Sequence, residues 1–201
     1  MILSLLRKFP SRYSRRSVIE VNMIYEFLAD GFELVEAMTP VDMLRRAGAD
    51  IKTVSITSDK AVKASNGVTV IADITLTEMG DILPDMVILP GGMPGASNLR
   101  ACKKVCDLVC LCADKRIPIG AICAAPFILG ELGILKGKNA ICYPGFEDKL
   151  IGADISDKNC VRDGNIITAA GMGAALPFSC ELVSILYGKE KAEEILRAII
   201  A

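Results

Sequence analysis

From residue 23 onward the chain alternates short apolar runs with longer stretches of helical pattern, and few folds can absorb that alternation. Strand candidates fall at 24–28, 51–56, 68–72, 86–89, 117–122 and 166–169, with a shorter one at 140–142. Runs this short and this uniformly apolar belong to strands buried on both faces. Helical stretches at 33–47, 98–114, 125–135, 174–187 and 190–200 come between them. The order predicts an α/β fold, a mostly parallel sheet with helices on both faces. A chain of 201 residues fills one such core and is too short for two ordinary α/β domains, so 23–201 is expected to form a single domain.

Within 33–47, Arg45-Arg46-Ala47-Gly48 is a stop signal, with cations in the last turn and glycine beyond it. Thr39-Pro40-Val41-Asp42 reads as a fresh start, with Thr39 as the cap and Pro40 at the first position. The helix is therefore expected to kink or restart at Pro40, leaving Glu36 on the turn before it.

Residues 1–22 are different in character. Arg7, Lys8, Arg12, Arg15 and Arg16 lie among serines and leucines, with no acid before Glu20. This composition is that of a mitochondrial presequence or of a disordered basic tail preceding a start at Met23. The first reading places the protein in mitochondria and the second, which is preferred, in the cytoplasm. The whole chain has 23 basic and 24 acidic residues, a charge of −1 that gives nucleic acid or an anionic membrane no field to follow. No apolar run approaches the roughly 18 residues that a membrane span needs. Neither nucleic acid nor membrane is expected as a partner; small molecules or proteins are.

Eight cysteines sit mostly inside apolar runs, where a reduced thiol behaves as a small hydrophobe, and this points to a reducing compartment. Cys102, Cys106 and Cys110 recur every four residues, with Cys112 nearby, a stripe read as core packing rather than a soft-metal site. The chain has no histidine, which removes the Ser-His-Asp triad, the Cys-His dyad and any His-ligated metal within one subunit. Neither a metal nor a cofactor is expected. What remains for chemistry is Cys, carboxylates, Tyr, Lys and backbone amides.

Three segments supply such groups, each directly after an apolar strand. In IPIGAICAAPFILG (117–130), Cys123 lies between a strand and a helix opened by Pro126, a nucleophile-elbow arrangement. A thiol facing the helix's free amides is expected to have a lowered pKa. Taken alone, the same pattern fits a structural core cysteine equally well. In LPGGMPG (89–95), the paired glycines Gly91 and Gly92 let backbone amides turn toward a ligand, although an isolated loop of this kind is ordinary. In DGFELVE (30–36), a carboxylate could bond the thiol or shuttle a proton if burial raises its pKa, although acids in a first helical turn more often face solvent. Their convergence carries the argument, because sites in open parallel sheets form at the carboxyl ends of the strands.

The motifs FLADGFELVEAMTPVDMLRRAG, ILPGGMPGA, AICAAP and ITAAGMGAA, in that order, resemble the ThiJ/PfpI superfamily, in the branch that includes the parkinsonism-associated deglycase. The resemblance runs from Met23 to Ala201. It implies a flavodoxin-like three-layer sandwich, a homodimer, and Cys123 as the reactive residue. It also implies that Glu36 is the acid bonded to its sulfur and that the amides of Gly92 and Ala124 are the oxyanion donors. Many members of the branch have a histidine where Tyr143 stands in CYPGFED. A phenol with a reference pKa near 10 positions a substrate better than it removes a proton. Gly91 and Tyr143 are accordingly candidates for substrate positioning. Without histidine, proteolysis and glutamine hydrolysis are disfavoured.

The activity implied is that of a cofactor-free glyoxalase or deglycase, taking small aldehydes or dicarbonyls such as methylglyoxal, or their protein adducts, through a hemithioacetal on Cys123. The competing expectation is a redox sensor or chaperone-like protein in which Cys123 is oxidised. The glycines of Gly171-Met172-Gly173 lack the rest of a phosphate-binding fingerprint, so no nucleotide is assigned.

Overall fold

The computed structural model describes residues 23–80 and 82–201; the basic segment 1–22, with its tail or presequence reading, lies outside the described residues. The strands in chain order are β1 (Met23–Leu28), β2 (Asp50–Ser55), β3 (Ala61–Lys63), β4 (Thr69–Ile71), β5 (Ile74–Thr75), β6 (Met86–Leu89), β7 (Ile119–Ile122), β8 (Asn139–Ala140), β9 (Asp154–Ile155), β10 (Cys160–Asp163) and β11 (Ile166–Ala169). The helices are α1 (Leu34–Arg46), α2 (Gly95–Ala101), α3 (Lys103–Asp114), α4 (Pro126–Glu131), α5 (Ala175–Tyr187) and α6 (Lys189–Ala198).

Seven strands form the main sheet in the order β10-β11-β7-β6-β1-β2-β5, parallel throughout except for β10 against β11. Successive side chains of a strand point to opposite faces. Phe27, Val87, Leu89 and Ala121 therefore pack with Leu99, Val109 and Ile128 of α2, α3 and α4. Ile24, Met86, Ile88 and Ile122 pack on the other side with Leu44, Phe178 and Ile195 of α1, α5 and α6. The expected parallel sheet covered on both faces is what the chain forms.

Several expectations about single elements are corrected. The run at 68–72 leaves the main sheet: β4 pairs only with β3, as a hairpin with Val68 and Ile71 exposed. Its neighbours Lys63 and Ala64 bond instead to the loop that follows β1, through Gly31 N to Lys63 O at 2.8 Å and a bridge between Phe32 and Ala64. The stretch 98–114 is two helices divided by Cys102, whose backbone is extended. The segment at 140–142 contributes only β8, paired with β9 beside the sheet.

Helix α1 continues unbroken through Pro40 and does not restart there. Thr39 does not cap a new helix, because its hydroxyl donates back to the Val35 carbonyl at 2.7 Å. Pro40 cannot donate to the carbonyl of Glu36, four residues earlier. That loss is outweighed by the buried stripe of Glu36, Ala37, Pro40, Val41 and Leu44, which holds the helix on the sheet. Among the described residues no helix is long and apolar enough to cross a membrane.

Candidate active site

Strand β1 has β2 on one side and β6 on the other, so the loops leaving β1 and β6 part at the carboxyl edge of the sheet. A crevice at such a reversal of strand order is where ligands reach α/β sheets. The backbones of these two loops are packed together: Glu33 N donates to Gly91 O at 2.9 Å. Gly92 has φ +88, and a Cβ there would meet the Gly31 carbonyl at 2.5 Å. Only glycine fits that conformation in that space.

Cys123 follows β7 with φ 62, a left-handed conformation unusual for a residue with a side chain. Two backbone bonds hold it there. Cys123 N donates to Ala169 O of β11 at 2.8 Å, and Tyr143 N donates to Cys123 O at 2.8 Å. The strained turn projects the thiol toward the glycine loop, where the backbone amides of Gly92 and Ala124 interact with the sulfur. Gly91 turns its amide elsewhere, donating to Glu36 Oε2 at 3.2 Å. A Cβ on Gly91 would lie 2.5 Å from both the Cys123 Cβ and Glu36 Oε2, so this residue is where acid, thiol and loop meet. Gly91 thus gives its amide to the acid.

Glu36 lies on the buried stripe of α1 and is 1% exposed. Burial is the main cause of a carboxyl pKa raised from 4.5 to about 7. The hydrogen-bonding contact with Cys123 and the amides of Gly91 and Met172 work in the opposite direction, while the charge of Glu33 adds to the rise. For Cys123, burial first, then the charge of Glu36 and the bond to it, push the thiol up to about 12. The amides of Gly92 and Ala124 lower it. This direction corrects the expectation of a depressed thiol. Helix α4 is only six residues long, and its free amides are outweighed by desolvation and a neighbouring carboxylate. The two groups are one unit, which holds two protons below about pH 7 and one above it.

Tyr143 is 52% exposed, with its backbone tied to Cys123. Its ring lies 3.4 Å from where a Cβ on Gly171 would sit, and the same point is 3.8 Å from Glu36 Oε1. The loop 171–173, which carries no assignment in the sequence, therefore belongs to this crevice. Its Met172 amide faces the Glu36 carboxyl. The signal was its position directly after the apolar strand β11, the same placement that marks the other loops. The structure brings Cys123, Glu36, Gly91, Gly92, Ala124 and Tyr143 together. The assembly provides a thiol, a carboxyl that exchanges its proton near neutral pH, and paired amides aimed at the sulfur.

Two hollows of about 490 and 410 Å³ lie along β10, both lined by Lys158, Val161 and Arg162. Cys160 borders the second, where burial, followed by the charges of Glu181 and Cys180, pushes its thiol up to about 12. The paired amides and buried acid found at Cys123 make the crevice, not these hollows, the site for chemistry. Cys106 and Cys112 of the cysteine stripe are buried in α3.

A model of the DJ-1/PfpI family matches residues 22–185. The chain is 38% identical over 170 residues to protein DJ-1 homolog B of Arabidopsis thaliana, a match covering 84% of this chain and 39% of that protein. It spans well under half of that longer relative. Glutathione-independent glyoxalase DJR-1.2 of Caenorhabditis elegans is 31% identical over 169 residues, covering 83% of this chain and 89% of that one. The solved structure of oxidized Toxoplasma gondii DJ-1 superposes with a TM-score of 0.86 at 30% identity, covering 90% of this chain and 98% of that chain.

Proposed function

Because the chain belongs to the DJ-1/PfpI family, we propose that it is a cofactor-free glyoxalase that converts α-oxoaldehydes to 2-hydroxy acids on Cys123. Support comes chiefly from one observation, the buried Glu36 carboxyl with a pKa of about 7 in contact with the Cys123 sulfur. A general acid–base is most effective when its pKa is near the working pH. The relative named as a glutathione-independent glyoxalase agrees with this reading.

In the first step the sulfur adds to the aldehyde carbon of methylglyoxal as the thiol proton passes to Glu36. The carbonyl oxygen becomes an alkoxide beside the amides of Gly92 and Ala124 and takes up that proton, giving a hemithioacetal. Glu36 then removes the proton from the former aldehyde carbon, the electron pair moves to the ketone oxygen, and the hemithioacetal's hydroxyl proton shifts to that oxygen, leaving an enediolate. Return of the proton to the second carbon leaves a thioester. Water cleaves it to lactate and regenerates the thiol, so the net change is methylglyoxal plus water to lactate. The same addition would let the enzyme act as a deglycase on aldehyde adducts of proteins. A cytoplasmic homodimer completes the reading by family resemblance.

Lactate formation from methylglyoxal without glutathione tests the reading. Wild type should make lactate, Cys123→Ala none, and Glu36→Gln almost none. Equal turnover by Cys123→Ala, or none by folded wild type, rules the mechanism out.

A further inference from the structure

The loops at the crevice, 29–33, 90–95, 123–126, 142–146 and 170–174, contain no lysine or arginine. Their charges are negative, from Asp30 and Glu33, with Glu36 at the base. Over this cation-free floor stand two large side chains left in solvent, Tyr143 at 52% and Met172 at 56% exposure. Both are fixed to the reacting groups through their backbones. Tyr143 N holds the Cys123 carbonyl, and the Met172 amide faces Glu36. The Tyr143 ring lies against Gly171, directly before Met172, so the two side chains border one opening. An exposed aromatic ring and thioether gain by covering an apolar group, and these loops offer an anionic group no cation of their own, the Lys149 ammonium lying over the Phe146 ring at 5.5 Å from its centroid.

Resting on the glyoxalase reading, we propose that Tyr143 and Met172 form a selecting rim. The site accepts neutral α-oxoaldehydes with an apolar or aryl substituent and rejects those carrying a carboxylate or phosphate.

The test compares kcat/KM for methylglyoxal, phenylglyoxal and para-carboxyphenylglyoxal in wild type, Met172→Ser, Tyr143→Ser and Met172→Arg. Ratios between substrates cancel any general loss of activity in a variant. Wild type should prefer phenylglyoxal to its carboxylated analogue by about tenfold or more, the scale of one strong contact. Either serine substitution should lower the phenylglyoxal-to-methylglyoxal ratio several-fold, through KM. Met172→Arg should favour the carboxylated substrate by about tenfold relative to wild type. Ratios unchanged in all three variants would overturn the proposal while leaving the glyoxalase reading intact.

If folded wild type turns over none of the three, the glyoxalase reading fails and the rim is tested by alkylation of Cys123. Its rate ratio for neutral iodoacetamide over anionic iodoacetate should exceed that of free glutathione by about tenfold. A ratio equal to that of glutathione would overturn the selecting rim itself.

Discussion

Replacing Glu36 by glutamine should inactivate the protein and at the same time make it more stable, by an amount that depends on pH. The carboxyl is 1% exposed, and burial raises its pKa from 4.5 to about 7. Between those values the folded chain keeps a proton that the unfolded chain has already released. Stability therefore falls as pH rises across this window and levels off above about 7. At about 1.4 kcal/mol per pH unit, the folded state loses about 3 kcal/mol by pH 8. Glutamine has the same shape, can accept from the Gly91 amide and never ionises. Glu36→Gln should match wild type near pH 4.5 and exceed it by about 3 kcal/mol at pH 8. For a chain of this length that is about 6–12 °C in Tm. Urea unfolding of both proteins at the two pH values, alongside lactate assays, measures the effect, and other titrating groups cancel in the difference. A variant no more stable at pH 8 than wild type would mean that water solvates the carboxyl, and the acid–base role drawn from its burial would fall with it.

Glu26, in the middle of β1, is fully buried with neither carboxyl oxygen hydrogen-bonded, and burial raises its pKa well above 4.5 despite the charge of Arg45. Glu26→Leu should stabilise the fold at pH 8 and remove a slope of about 1.4 kcal/mol per pH unit above 4.5, read by chemical denaturation. Gly91→Ala places a methyl 2.5 Å from the Cys123 Cβ and Glu36 Oε2. It should cost about 1–3 kcal/mol and most of the turnover, and full activity in a folded variant would show that the three groups are not held as described. The pH profile of kcat/KM should rise up to about pH 7 and then flatten, as the unit of Glu36 and Cys123 passes from two protons to one; a rate independent of pH would exclude that proton from the mechanism. Under mild peroxide, the half-buried Cys123, its thiol held protonated, should not be singled out among the eight cysteines by mass spectrometry. Selective oxidation there would favour the redox-sensing alternative.

The layer architecture was readable because it depends on local regularities. Apolar runs such as 86–89 and 166–169 coincide with β6 and β11, since a strand buried on both faces must be apolar throughout. The candidate loops could be located for the same reason: each follows such a strand, and parallel strands bring their carboxyl ends to one edge. Where an element is held by distant partners, the local pattern misleads. Pro40 reads as a break, yet burial of α1 against the sheet carries the helix through it. Val68 and its neighbours read as a core strand, yet the hairpin they form is fastened to the loop after β1.

Glu36 shows how far the sequence alone reaches in the site. Its spacing with Ala37, Pro40, Val41 and Leu44 puts a carboxyl on an apolar stripe, but Glu33 shares that spacing and is set apart only by its extended backbone ahead of the helix. No spacing could foretell that Gly91 would give its amide to this acid, or that Met172 would face it from the loop after β11, on the far side of β7. The sequence by itself determined the alternating scaffold, the absence of histidine chemistry and the candidate thiol, all of which follow from residue type and short-range order. Tertiary structure alone decided where the protons reside. Desolvation and Glu36 hold the Cys123 thiol up, desolvation brings Glu36 to neutral pH against the pull of its bond to Cys123, and both effects arise only when residues distant in the chain exclude water together.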